Sequence, residues 1–201
     1  EKFGGGGQSV AAGFGGLIVR NDLRGTVDAH LDGVAASAAG DLLVRAFENV
    51  SLEAQDTSSV SAGALGLNAV VATNTVLGSA KAWVRGGSLS TTVPDGDVRV
   101  QSLNTAIIDA SVDSSVSATT SVGVTLAFNT IGWRPDSVWN FIRDAFEGGE
   151  YATRQTLLTQ AWADGVAIDA KGEVEASALS SGSIKAEIKN SALAINAEFG
   201  T

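Results

Sequence analysis

The segment from Asp41 to Ala62, DLLVRAFENVSLEAQDTSSVSA, recurs without a gap as Asp97 to Ala118, DVRVQSLNTAIIDASVDSSVSA. It recurs more loosely as Glu173 to Ala194, EVEASALSSGSIKAEIKNSALA. A glycine precedes each copy (Gly40, Gly96, Gly172), and an alanine keeps the same internal place in each (Ala54, Ala110, Ala186). Gap-free recurrence of this kind marks a repeat array, in which units stack on one another rather than enlarge one core.

The flanking residues keep the same order. Asn21, Asn74 and Asn129 precede the copies, and each is followed by Ala29-His30, Ala82-Trp83 or Ala161-Trp162. His30, Trp83 and Trp162 therefore share one repeat position. The interval before Ala161 is longer than the others, so the third repeat carries an insertion. The array divides into repeats at about 9–58, 59–114 and 115–201, with a flexible, glycine-rich lead-in over 1–8. The start, EKFGGGG, and the lack of any Met read as a mature or excised piece of a longer protein.

Within the repeats, VDAHL, AKAWV, DVRVQS, AIIDASV and SIKAEI alternate apolar and polar residues with period two and are rich in β-branched side chains. Turn-forming clusters punctuate them at GGS 86–88, PDGD 94–97 and SSGS 180–183. The pattern predicts an all-β chain, a parallel β-helix or β-solenoid, with about two coils of roughly 20–25 residues in each repeat. The competing architecture is an antiparallel sandwich with internal duplication. Aromatics are only 6% of the chain, and glycines number 24, which suits thin, closely layered sheets.

The insertion has another character. Pro135-Asp136-Ser137 forms a helix start, Val138, Trp139, Phe141, Ile142, Ala145 and Phe146 follow at helical spacing, and Gly148-Gly149 closes the run. One α-helical insertion is expected over about 134–157, covering apolar surface or presenting a recognition surface.

Ser59-Val60-Ser61-Ala62-Gly63, the later asparagine, the Ala-aromatic pair and the Gly-Asp step form a grammar that resembles the modules of large repetitive bacterial surface proteins. These are the filamentous-haemagglutinin-like and leukotoxin-type adhesins. Ile131-Gly132-Trp133 is similar to an insertion found in some of those modules. The resemblance covers nearly the whole chain, although three repeats are few for such an array. It implies a right-handed parallel β-helix, secreted to the bacterial cell surface or matrix, acting as an adhesin or structural component.

The search for chemistry is mostly exclusionary. A net charge of −9 opposes binding to nucleic acid or to anionic membranes. There is no cysteine, hence no disulfide or thiolate site. No run approaches the roughly 18 apolar residues of a membrane span. No nucleophile elbow, P-loop or HExxH occurs. His30 shares its repeat position with two tryptophans, which points to packing or stacking rather than to a triad.

Asp41, Asp97 and Glu173 follow the conserved-position glycines and read as turn residues whose carboxylates accept from backbone N–H groups. Asp95 and Asp97 are the calcium candidates, since oxygen ligands on a turn suit a hard cation. Asn21, Asn74 and Asn129 are expected either to form a hydrogen-bonded ladder or to occupy turns with positive φ.

Three functions follow from this reading. The first is a structural module or subunit of a surface filament that joins neighbouring copies end to end. The second is a module that binds a surface glycan or host protein through Trp133, Trp139, Tyr151, Trp83 and Trp162. The last is a β-helix lyase or glycosidase, for which the sequence supplies no preferred carboxylate pair.

Overall fold

The computed structural model describes residues 11–132 and 157–194. The expected helical insertion lies outside the described residues except for Leu157, which leads directly into a strand. No helix occurs among the described residues.

Twelve strands follow one another: β1 (Ala12–Leu23), β2 (Thr26–Asp32), β3 (Ala35–Ala38), β4 (Leu42–Ser61), β5 (Leu65–Val76), β6 (Ser79–Arg85), β7 (Ser88–Thr91), β8 (Val98–Ala118), β9 (Thr120–Ile131), β10 (Leu158–Asp164), β11 (Ala167–Asp169) and β12 (Val174–Ala194). They form four three-stranded sheets, β1–β5–β9, β2–β6–β10, β3–β7–β11 and β4–β8–β12. Every neighbouring pair is parallel. The chain thus visits the same sheets in the same order three times. The fold is all-β with parallel sheets, and the antiparallel alternative is excluded.

The repeating segment found in the sequence is the β4–β8–β12 sheet. Its gap-free alignment is the strand register: Ala54 faces Ala110, and Ala110 faces Ala186. Each repeat makes one wide turn, not the two narrow coils expected. Asn21 and Asn74, equivalent places in successive turns, are 53 residues apart, and Asp41 and Asp97 are 56 apart. The difference comes from strand length. β4 has 20 residues, and β8 and β12 have 21 each, against the usual five or six. SSGS 180–183, read from sequence as a turn, lies inside β12. A Cβ at Gly182 would stand 3.1 Å from Ile131 Cδ1, so a side chain there would ask that methyl to shift slightly.

Period-two alternation decides what the long strands bury. In β4 the inward positions are Val44, Ala46, Glu48, Val50, Leu52, Ala54 and Asp56, with exposed residues between them. In β8 the inward Val98, Val100, Ala106, Ile108, Ala110, Val112 and Val116 are fully enclosed. The first part of this sheet packs on Ala80, Ala82, Val84 and Leu89 from β6 and β7. The later part packs on Val70, Ala72 and Val76 from β5. Small and β-branched side chains fill this thin layer, which is how a chain so poor in aromatics builds a dry core.

Corners are set by glycine. Gly33, Gly86 and Gly165 follow β2, β6 and β10 and share positive φ values of 65°, 62° and 58°. In the first turn Gly15 admits the Val60 side chain, which a Cβ would meet at 2.3 Å.

Candidate functional site

Three columns of side chains run across the turns, and each was singled out in the sequence. The asparagines form the first. Asn21 Nδ2 donates to Asn74 Oδ1 at 2.9 Å, and Asn74 Nδ2 donates to Asn129 Oδ1 at 3.0 Å. Each amide also donates sideways to a carbonyl of the long sheet: Asn21 to Glu53, Asn74 to Asp109 and Asn129 to Lys185. The ladder reading is therefore the structural one, and none of the three has positive φ. With Asn74 only 1% exposed, these bonds replace water for a buried amide and fix one turn over the next.

Asp41, Asp97 and Glu173 form the second column. Asp41 Oδ1 accepts from the Asp97 backbone N–H at 3.0 Å, and Asp97 Oδ1 accepts from the Glu173 N–H at 2.7 Å. Asp41 and Asp97 accept from backbone as expected, but each donor belongs to the next turn rather than to a local turn. Arg99 crosses the column. It binds Asp97 through Nη2, lies 3.4 Å from Asp41 Oδ2 and lies 3.6 Å from Glu175 Oε2. Both Asp97 oxygens are thus engaged by protein donors. Asp95, the other calcium candidate, sits with φ of 63° at the corner. Among the described residues no group of three or more His, Cys, Asp or Glu side chains gathers where a metal ion could be held.

The rings of His30, Trp83 and Trp162 form the third column, on the outer face of β2–β6–β10. His30 and Trp83 stack with centroids 4.4 Å apart and planes 4° from parallel; Trp83 and Trp162 follow at 5.7 Å and 7°. Asp28 Oδ1 accepts from Trp83 Nε1 at 3.0 Å and lies 2.9 Å from His30 Nδ1. Arg85 lies over the Trp83 ring and forks onto Asp32 at 3.1 and 2.5 Å. That guanidinium bond, with its charge, holds the Asp32 carboxyl below its ordinary range.

Trp83 is stacked on both sides by rings of its column, whereas Trp162, 36% exposed, meets a ring only at Trp83 among the described residues. The remaining predicted binding residues, Trp133, Trp139 and Tyr151, lie outside the described residues. Among the described residues the His30 ring meets Asp28 Oδ1 at Nδ1 and the face of Trp83.

The two ends of the stack are not alike. In the middle turn Val98, Ile108 and Val112 are each 1% exposed. Their third-turn equivalents Val174, Ile184 and Ile188 are 58%, 57% and 49% exposed. Among the described residues nothing encloses the inner layer of the third turn. A shallow cleft of about 440 Å³ lies at this end, lined by Thr159, Gln160, Ala161, Trp162 and Ala178. Among the described residues no strand pairs with the outer edge of β12, and none with the outer edge of β4.

Two inward carboxylates escaped the sequence reading. Glu48 lies between sheets, where Asn104 Nδ2 donates to it at 2.7 Å, and burial pushes its carboxyl above the ordinary range despite that bond. Asp56 is 2% exposed, and neither oxygen has a hydrogen-bond partner of good geometry. Burial pushes it up, offset only in part by the nearby Thr57 backbone N–H. The signal was present: both fall on the inward parity of VRAFENVSLEAQD, in step with Val44 and Ala54.

Comparison with family models, with curated proteins and with solved structures finds no match to this chain.

Proposed function

We propose that the chain is a β-solenoid segment, with the right-handed winding usual for parallel crossovers, and that its function is structural. It serves as a module or subunit of a secreted bacterial surface filament or adhesin, joined to its neighbours end to end. The observation that carries this reading is the open inner layer of the third turn. Ile184 and Ile188 occupy positions that another turn encloses one level below. An exposed layer of apolar side chains bordered by free strand edges is a template for further stacking. Placement at a bacterial surface rests on the resemblance of the repeat grammar alone.

The test is negative-stain electron microscopy with sedimentation velocity across a range of concentrations. Rods that lengthen with concentration are the expected result. A monomer at every concentration overturns end-to-end joining.

A further inference from the structure

We infer that the joining is polar: the end formed by β9–β12 receives the β1–β4 end of a second copy, in the register that continues the asparagine and ring columns. This rests on the reading above that copies meet through their ends, and it adds which ends meet and how they align.

The asparagine ladder has a direction. Asn21 and Asn74 each use two N–H bonds, one to a carbonyl of the long sheet and one to the next asparagine. Asn129 donates to Lys185 O, and among the described residues no asparagine lies beyond it to take its second N–H. At the opposite end no donor among the described residues reaches Asn21 Oδ1, whereas Asn74 Oδ1 and Asn129 Oδ1 each receive one. One end of the column offers a donor and the other an acceptor, on the same line. Two third-turn ends brought together would set donor against donor. They would also force β12 to pair antiparallel with itself, unlike every pairing within the chain.

The other columns carry the same polarity. Asp41 and Asp97 accept from the N–H of the equivalent residue one turn on; among the described residues Glu173 is the carboxylate without such a donor, and the Asp41 N–H lies where one is needed. Trp162 has one face on Trp83, and no further ring covers the other among the described residues. His30 is likewise stacked on one side only. A second copy in this register lays His30 on Trp162 and brings Leu52 over Ile184, as Leu52 already stands beside Ile108. Asp56 over Ile188 is the poor match in the set. A heterologous contact of this type does not close on itself and generates a filament.

The chain has no cysteine, so introduced thiols report the contact without background. Ser59, Ser115 and Ser191 form one outward-facing column on the long sheet, with Ser59 and Ser191 exposed. In the proposed register Ser191 neighbours Ser59 of the next copy at the parallel-strand spacing of about 4.8 Å, within disulfide range. Ser59→Cys and Ser191→Cys chains, mixed and oxidised, are expected to give a covalent dimer that neither gives alone. The double variant is expected to give a ladder of covalent oligomers. A Thr57→Cys chain, displaced by one outward step, is expected to cross-link Ser191→Cys at least several-fold less.

Dimers of Ser191→Cys alone, or oligomers by sedimentation without the mixed disulfide, would overturn the polar register while leaving end-to-end joining intact. Monomers throughout would overturn both.

Discussion

The backbone N–H of Glu173 donates to Asp97 Oδ1 at 2.7 Å, and that carboxylate stands where a side chain on Gly172 would have to go. A Cβ built at Gly172 lies 2.2 Å from Asp97 Oδ1 and 2.8 Å from the Asp95 carbonyl. Glycine and carboxylate are thus one device spread over two turns. Gly172→Ala is expected to cost about 1–3 kcal/mol, because Asp95 backbone as well as a side chain must move. Asp97→Ala is expected to cost about 1–2 kcal/mol by stranding the N–H and Arg99, and Asp97→Asn less, since an acceptor remains. Urea midpoints of the three variants decide it; a neutral Gly172→Ala would sink the idea.

Asn74 is the middle of its column, and Asn21 is an end. Asn74→Ala removes one accepted and two donated bonds in a site closed to water, so a loss of about 2–4 kcal/mol is expected. Asn21→Ala removes only donated bonds at a half-exposed place and should lose under about half as much. Equal losses on denaturation would show that the ladder does not add stability turn by turn.

Asp56 makes the fold sensitive to pH in a direction that can be worked out. Its folded carboxyl titrates above its unfolded value of about 3.9, so the folded state holds the proton more tightly. Below the unfolded value both states are protonated, and the residue is neutral toward stability. As pH rises through the folded value the buried charge becomes a full penalty. Acidification from neutral pH should therefore add stability from this residue. Asp56→Val, which matches Val112 one turn on, should gain about 1–3 kcal/mol at neutral pH and flatten the urea midpoint between pH 7 and 4. An unchanged or lowered midpoint at neutral pH would refute this.

Gly87 and Gly165 separate two reasons for glycine. Both have positive φ, 72° and 58°. A Cβ at Gly87 would lie 2.1 Å from the Val34 carbonyl oxygen, whereas one at Gly165 meets nothing within 4 Å. Gly165→Ala is expected to cost only the left-handed strain, about 1 kcal/mol. Gly87→Ala should cost at least about 2 kcal/mol more, or prevent folding. Thermal unfolding of the pair checks the difference, and similar melting temperatures would sink the close-approach argument.

Much of the architecture was legible because stacking writes equivalence into sequence. Residues that touch across turns must be compatible with their own counterparts, so Asn21, Asn74 and Asn129, or His30, Trp83 and Trp162, could be found by alignment alone. The number of turns was not legible. Alternation shows which side a residue faces but not where a strand stops, and Ser180 to Ser183 carries the composition of a turn while lying in a narrow part of a strand. Glu48 and Asp56 were missed for a related reason. Charged residues on a repeat strand read as surface unless their parity is counted, and parity alone puts both inside. The proposed end-to-end contact has no sequence signature of its own; the direction of the asparagine ladder becomes visible only when its bonds are laid out.

In the first two turns the corner between the first and second sheets is two residues long, Arg24-Gly25 and Leu77-Gly78. In the third the chain leaves at Ile131 and returns at Leu158, yet β10 still meets β6 residue for residue. A corner that accepts so much extra sequence without disturbing a single ladder is a graft point. Descent could rewrite the sequence between Ile131 and Leu158 while the stacked scaffold stays untouched, and a protein engineer could do the same.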